Sequence, residues 1–173
     1  MLTCLWKKYW RPDEYYSSVD RIPFEQYANR GYRLVLLDMD NTLMPHGNHR
    51  ATERVKQRLS QIRQAGLRPV ILTNAKRNRA ACVAQDVDCE VVGMAMKPSA
   101  KGVCQAMRQQ QVVQSQVLLV GDQLFTDIWA ARRGGVHAIL VAPLSTSGEP
   151  IQIRLKRCLE RWLLKRFKVS FNT

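Results

Sequence analysis

The sequence predicts a three-layer, doubly wound α/β fold of the Rossmann-like type, built on a five-stranded parallel sheet. Three observations support this prediction: five short apolar runs, helical segments between them, and short connections. Strands and helices that alternate at this length form a parallel sheet covered by helices on both faces. The chain has 173 residues, of which 46% are hydrophobic, enough for one core. We therefore expect a single domain over residues 1–173.

The five predicted strands are continuous apolar runs, the pattern of strands that are buried on both faces. They cover residues 33–38, 68–74, 90–92, 116–122 and 137–142. The first, second and fourth runs end in polar residues, which places those residues at the carboxyl ends of the strands.

The predicted helices lie between these strands. In the first helix, Val55, Leu59 and Ile62 recur every three or four residues. Thr52 is placed to cap its start, and Gly66 is placed to end it. Further helices are predicted over the Lys- and Arg-bearing stretch that follows the second strand and runs through residues 80–84, over residues 99–110 and over residues 124–133.

Two segments flank this pattern. Residues 1–32 are rich in aromatic side chains without a period of two, so we expect short helical turns that pack on the core. Residues 150–173 form a basic amphipathic tail, in which positions 151–173 hold seven Lys or Arg and one Glu. The tail thus carries +6 of the formal charge of +13, which suits an anionic partner.

The composition indicates where the protein is located. Its five cysteines include no C-x-x-C pair, and their odd number argues against a closed set of disulfides, so we expect reduced thiols. The amino terminus has charges and bulky aromatics where a signal peptide needs an apolar run. The longest uncharged stretch, residues 134–148, is too short to span a bilayer. We expect a cytoplasmic protein.

Polar side chains follow several of the predicted strands. They are Asp38, Asp40, Thr73, Asn74, Lys97, Asp122 and Asp127. Because the carboxyl ends of parallel strands meet at one edge of the sheet, these residues should lie close together. Clustered carboxylates repel one another unless a cation offsets their charge, and carboxylate oxygens are ligands that Mg²⁺ prefers. The sequence therefore predicts a magnesium site at this edge.

These residues also resemble the motifs of a known family. The stretch D-M-D-N-T at 38–42 is similar to motif one of the haloacid dehalogenase-like superfamily, and I-L-T-N at 71–74 to motif two. Lys97-Pro98 resembles motif three, and G-D-Q-L-F-T-D at 121–127 resembles motif four. All four occur in the family's order, and together they cover residues 34–127.

The resemblance implies a role for each residue. Asp38 would be the nucleophile that becomes phosphorylated, and Asp40 the general acid and base. The side chains of Asp38 and Asp122 and the backbone carbonyl of Asp40 would bind Mg²⁺, with Asp127 supporting the metal site. The roles expected in phosphoryl binding fall on Thr73, on the backbone N–H of Asn74 and on Lys97.

The layout resembles the YqeG-like subclass IIIA phosphatases of this superfamily, whose relatives include phosphatidylglycerophosphate phosphatases. The R-P-D-E-Y-Y start, the Asn after motif two, the motif-four string and the basic tail all fit. The chain has no room for the cap domain that many superfamily members carry, so we expect an open site. An open site favours phosphate presented on something large, such as a lipid.

The tail leaves three interpretations open. Its apolar residues at helical spacing are Leu155, Cys158, Leu159, Trp162, Leu163 and Phe167, while basic residues including Arg157 occupy much of the remaining surface. Such a stripe could pack on the core, lie in an anionic membrane interface, or contact nucleic acid. We expect phospholipid rather than nucleic acid as the partner, with peripheral attachment to the inner membrane face.

Three functions therefore remain open. The first is a phosphatase acting on a lipid headgroup. The second is a phosphatase acting on soluble nucleotides, sugar phosphates or phosphoprotein. The third is a basic RNA- or ribosome-associated module with an inactive phosphatase fold. The complete set of motif residues argues against the third.

Overall fold

The computed structural model describes residues 1–147 and 149–169. Its centre is a six-stranded sheet in which every pair of neighbouring strands is parallel. The strands are β1 (Glu14–Tyr16), β2 (Leu34–Leu37), β3 (Arg68–Leu72), β4 (Glu90–Val92), β5 (Val117–Gly121) and β6 (His137–Val141). Their order across the sheet is β1-β6-β5-β2-β3-β4. The prediction of a parallel α/β fold is confirmed.

The α-helices cover the sheet on both sides. They are α1 (Leu2–Leu5), α2 (Phe24–Asn29), α3 (Glu53–Gln64), α4 (Arg77–Asp86), α5 (Lys101–Gln109), α6 (Trp129–Gly134) and α7 (Ile151–Arg166). A π-helical turn, Leu124–Ile128, leads directly into α6. The helix predicted over 124–133 is therefore present, with its first part wound more widely than an α-helix.

The prediction of five strands was wrong by one strand. Residues of the aromatic amino-terminal segment form β1, which pairs with β6 at the edge of the sheet with Glu14 opposite Ile139. The Asp13 side chain accepts a hydrogen bond from the Ala138 backbone N–H at 2.8 Å and so fixes this pairing. A strand of three residues is too short to produce a recognisable period, and its partner lies far along the chain. The rest of residues 1–29 contains short helices and turns, as expected.

Alternation along the strands divides the core into two layers. In β2, Leu34 and Leu36 face one side of the sheet, and Val35 and Leu37 face the other. The first side packs against α5, α6 and part of α7, and the second packs against α2, α3 and α4. All four side chains are fully buried, so β2 lies at the centre of the molecule.

Helix α3 starts and ends where the sequence places it. Thr52 occupies the position before its first residue, but its side chain makes no capping hydrogen bond. Gly66 follows the helix with φ +86°, a left-handed conformation that glycine adopts without strain. The capping role predicted for Thr52 is therefore wrong, whereas the stop at Gly66 is confirmed.

Among the residues that the structure describes, no helix has both the length and the apolar character needed to cross a membrane. The predicted tail, 150–173, is helical over most of its length, and its last four positions lie outside the described residues.

Candidate active site

The two central strands bring the first two acids together. Asp38 directly follows β2 and Asp122 directly follows β5, and the register pairs Leu37 with Val120. Both side chains are almost completely buried. The predicted convergence at the carboxyl edge of the sheet therefore holds for these two residues.

A third acid joins them from the π-helical turn. One carboxylate oxygen each from Asp38, Asp122 and Asp127 lies within 4.8 Å of the other two. Asp127 can approach this closely because residue 121 is glycine: a Cβ there would lie 2.3 Å from the Asp127 Cγ atom. The three buried acids thus form a compact carboxylate cluster.

Lys97 reaches the same cluster from the loop before α5. Its Nζ atom lies 2.5 Å from Asp38 Oδ1 and 2.6 Å from Asp127 Oδ1, and it donates a hydrogen bond of 2.8 Å to the Leu72 carbonyl. Burial lowers the pKa of Lys97, but the two carboxylates raise it above its ordinary value. The lysine is therefore an ammonium group, held against the side chain that the motifs mark as the nucleophile.

The cluster carries more negative charge than its cations neutralise, because Lys97 and Arg157 of α7 contact its three carboxylates and Arg157 is shared with Glu149. Burial raises the pKa of Asp38 well above its ordinary value; Lys97 lowers it, and the charges on Asp127 and Asp122 raise it further. Burial and the charge on Asp127 likewise raise the pKa of Asp122 to about 7. A divalent cation would relieve this repulsion, and three carboxylates are the hard oxygen donors that Mg²⁺ takes. These residues therefore fit a magnesium ion.

The Asp40 carboxylate lies outside this cluster. It forms a bidentate ion pair with Arg79, with both N–O distances 2.7 Å, and lies 3.3 Å from His46 Nδ1. The Gly47 backbone N–H also donates to it at 3.2 Å. Burial raises the pKa of Asp40, but Arg79, together with the Gly47 N–H and His46, outweighs burial, and the pKa lies below its ordinary value. The sequence reasoning missed Arg79, although a basic residue in the first turn of the helix after motif two was visible there.

The Thr73 hydroxyl is also held in position by a backbone hydrogen bond. Thr73 is buried, and its Oγ1 atom accepts a hydrogen bond of 3.1 Å from the Ala75 backbone N–H. The hydroxyl proton can still be donated to a phosphoryl oxygen.

The Asn74 side chain holds the loop that carries Lys97. Its Nδ2 atom donates to the Lys97 carbonyl at 2.9 Å, and its Oδ1 atom accepts from the Lys97 backbone N–H at 2.8 Å. The residue was predicted to act through its backbone N–H, so this contact of its side chain adds a function that the sequence did not indicate.

The greatest departure from the sequence analysis is on α7. Arg157, expected on the surface, is buried and contacts the carboxylates of Asp122 and Glu149, each at 2.5 Å. Glu149 in turn accepts a hydrogen bond from the Asn41 side chain. The guanidinium is buried because it pairs with these two buried carboxylates. Leaving the carboxylates buried without a cation would destabilise the fold more than burying the paired arginine does. The tail helix therefore contacts a predicted metal ligand.

The chain resembles several known proteins. It is 29% identical to the "Probable phosphatase YqeG" of Bacillus subtilis over 94% of each chain. It is 25% identical to "Phosphatidylglycerophosphate phosphatase 1, chloroplastic/mitochondrial" of Arabidopsis thaliana and 27% identical to the chloroplastic protein of that name from Chlamydomonas reinhardtii. Those two alignments cover 84% and 79% of this chain, but only 44% and 54% of the plant and algal proteins.

A solved structure supports the fold. The crystal structure of an uncharacterized protein from Listeria monocytogenes serotype 4b aligns with a TM-score of 0.51 at 20% identity, covering 68% of this chain and 85% of that one.

A model of a protein family also matches this chain. Residues 46–135, just over half of the chain, match the family model for haloacid dehalogenase-like hydrolases. The resemblance inferred from the motifs, including the relation to YqeG-like phosphatases and phosphatidylglycerophosphate phosphatases, is confirmed. The chain therefore belongs to the haloacid dehalogenase-like hydrolase family.

Proposed function

We propose that this chain is a magnesium-dependent phosphatase that hydrolyses phosphate monoesters through an aspartyl-phosphate on Asp38. One observation carries the proposal: three buried carboxylates and the ammonium of Lys97 meet at the carboxyl ends of the two central strands. A purely structural role would not require this excess of buried negative charge. A site for a divalent cation and a phosphate does require it.

In the first step, an oxygen of the Asp38 carboxylate attacks phosphorus while the bond from phosphorus to the ester oxygen breaks. The departing oxygen takes a proton from Asp40. In the second step, Asp40 removes a proton from water, which attacks the aspartyl-phosphate and releases inorganic phosphate with Asp38 restored. One carboxyl group therefore serves first as acid and then as base.

The remaining residues hold the phosphoryl group. The Thr73 hydroxyl and the Asn74 backbone N–H bind its oxygens, and Lys97 offsets the charge that develops on them. Asp38, Asp122 and the Asp40 carbonyl would hold Mg²⁺, with Asp127 in support, and the bound ion would let an anionic nucleophile approach an anionic phosphate.

Asp40 must hold a proton before it can act as the acid, and its ion pair with Arg79 opposes protonation. A phosphate dianion competes with Asp40 for the same guanidinium, because arginine binds phosphate and carboxylate with similar geometry. Binding of substrate would therefore free Asp40 at the moment when its proton is required.

The substrate class that we favour is a phosphate on a lipid headgroup, such as phosphatidylglycerophosphate. Similarity to the plant and algal phosphatidylglycerophosphate phosphatases supports this choice. The chain also has little room for a cap: α3 and β3 are the regular elements between Asp40 and Thr73, and α4 and β4 are those between Asn74 and Lys97. We propose a cytoplasmic enzyme that works at the inner membrane face. A phosphatase of soluble phosphomonoesters is the alternative.

The experiment compares phosphate release from phosphatidylglycerophosphate in mixed micelles with release from a panel of soluble phosphomonoesters, with and without Mg²⁺. We expect hydrolysis that needs Mg²⁺, is fastest on the lipid, and is abolished by Asp38→Asn. Asp88→Asn, which changes an exposed acid outside the site, is the matched control.

Two outcomes would contradict the proposal in different ways. Equal or faster turnover of soluble esters would refute the lipid substrate while leaving the phosphatase intact. Absence of turnover on every ester would favour the inactive binding module instead.

A further inference from the structure

We infer that the outward side of α7 is a docking surface for an anionic lipid bilayer. We call the four residues Ile151, Leu155, Leu159 and Trp162, together with the cations beside them, the outer face of α7. The inference rests on the proposed function only for its biological use, which is to hold the enzyme beside a lipid substrate.

Helix α7 packs on the core with only part of its apolar stripe: Leu163 is buried and Leu164 is partly buried, but four other apolar side chains face outward. Its inward side buries Arg157 and Glu160, which are 7% and 4% exposed. The four apolar residues of the outer face are 50% to 65% exposed. Surface helices normally bury the apolar side and expose the charged one. These four apolar residues therefore contribute little to folding and remain available to a partner.

These apolar residues form one patch rather than scattered exposures. With about 3.6 residues per turn, the positions 151, 155, 159 and 162 fall within an arc of about 80° on the helix surface. Leu163, which lies outside this arc, is buried against the core instead. Single exposed hydrophobic side chains are ordinary, but a contiguous patch indicates an interaction surface.

The charges around the patch identify the kind of partner. Six exposed cations lie on α7 or just after it: Arg154, Lys156, Arg161, Lys165, Arg166 and Lys168. Within residues 149–169, the two acids, Glu149 and Glu160, are both buried. The solvent side of this segment therefore carries positive charge without compensation from its own residues.

An anionic bilayer satisfies both features, whereas the other candidates satisfy one. Three aliphatic residues and a tryptophan can enter the headgroup region while the cations remain among anionic lipids. A nucleic acid would pair with the cations but gives the aliphatic side chains no apolar environment. A second copy of the helix could cover the apolar residues, but it would bring six like charges to the same contact.

Docking in this way would place the membrane close to the active site. The inward side of the same helix contacts Asp122 through Arg157 at 2.5 Å. A helix with its side chains is about 10–12 Å across. The bilayer surface would therefore lie roughly one helix diameter from a predicted metal ligand.

The test is sedimentation of the full chain with phosphatidylcholine vesicles, with and without phosphatidylserine. Phosphatidylserine provides the negative charge without presenting the proposed substrate to the active site. We expect binding only to the anionic vesicles, and we expect added salt to weaken it because salt screens exposed charges.

Two pairs of variants separate the two components of the surface. Leu155→Gln with Leu159→Gln should weaken vesicle binding at least about ten-fold, because buried apolar area is lost. Val113→Gln, at an exposed apolar residue elsewhere, should leave it unchanged. Lys156→Gln with Lys165→Gln should weaken it about 30-fold, or roughly five-fold for each cation removed. Lys101→Gln, on α5, is the matched control for charge.

Hydrolysis of a soluble aryl phosphate provides the independent readout. All of these variants should retain it, which also shows that they fold. If the wild-type chain hydrolyses the ester but does not sediment with anionic vesicles, the inference is wrong and the phosphatase proposal stands. The inference also fails if the α7 variants bind like wild type, or if they instead dissociate a dimer. Vesicle binding without any hydrolysis would support the docking surface and refute the phosphatase.

Discussion

Replacing the nucleophile should stabilise the protein when no metal is bound. In Asp38→Asn the side chain keeps its shape but loses its charge, so it no longer repels Asp122 and Asp127 and no longer carries a buried charge. The raised pKa of Asp38, caused first by burial, already indicates that its ionised form is unfavourable in the folded state. In excess Mg²⁺ the wild type should be the more stable protein, because the ion binds and stabilises it, whereas the variant offers the ion fewer charged ligands.

The distances give the approximate size of the effect. At an effective dielectric constant of about 20, each carboxylate within 4.8 Å repels Asp38 by at least about 3.5 kcal/mol. The Lys97 ammonium at 2.5 Å attracts it by about 7 kcal/mol on the same basis, so attraction and repulsion nearly cancel. The cost of burying the charge remains, and relieving such costs gains on the order of 1–4 kcal/mol.

Measuring the Tm of both proteins in EDTA and in excess Mg²⁺ tests this prediction. For a chain of this size, about 2 kcal/mol corresponds to a rise of about 4–8 °C in Tm. The difference between Asp38→Asn and wild type in EDTA should grow as pH rises from about 4, because the unfolded carboxyl ionises there while the folded one still resists ionisation. A lower Tm for Asp38→Asn than for wild type in EDTA would refute the reasoning, since it would mean that Lys97 dominates. Asp88→Asn should change neither curve.

Three further substitutions test separate parts of the site. Gly121→Ala should push Asp127 out of position, because the new Cβ would lie 2.3 Å from its Cγ atom; calorimetry should show weaker Mg²⁺ binding and a loss of about 1–3 kcal/mol in stability. Arg79→Gln should raise the pKa of Asp40 in the free enzyme, so the alkaline limb of the pH profile of kcat/KM should move to higher pH. Asn74→Ala removes two hydrogen bonds to the backbone of the active-site lysine and should cost about 1–2 kcal/mol while lowering kcat.

These predictions have clear controls and contrary results. Arg77→Gln and Asn29→Ala change exposed residues of the same types and should behave like wild type. Unaltered Mg²⁺ affinity in Gly121→Ala, or an unshifted pH profile in Arg79→Gln, would show that the corresponding contact does not govern the site.

The central strands and the acids that follow them were predictable because their signals are local. β2 and β5 are uninterrupted apolar runs, and Asp38 and Asp122 come directly after them. Once a parallel sheet is assumed, these strand ends must share an edge. The sequence therefore predicted where the carboxylates converge, and the structure adds the distances between them.

The remaining features depend on contacts between distant segments. Nothing local distinguishes Arg157 from the other cations of the tail, because its burial depends on Asp122 and Glu149 lying opposite it. The pairing of Asp40 with Arg79 likewise requires the loop after β2 to lie beside the start of α4. These side-chain contacts depend on how distant segments meet in the folded chain, so a local sequence pattern does not predict them.

The edge position of β1 has a consequence for synthesis of the chain. This strand is synthesised more than a hundred residues before its partner β6, since Glu14 pairs with Ile139. At about 5–20 residues per second, Tyr15 and Tyr16 would wait roughly 6–25 s without their native neighbour. During translation these aromatic side chains are exposed to chaperones and to other nascent chains, and the sheet is completed only when its last strand arrives.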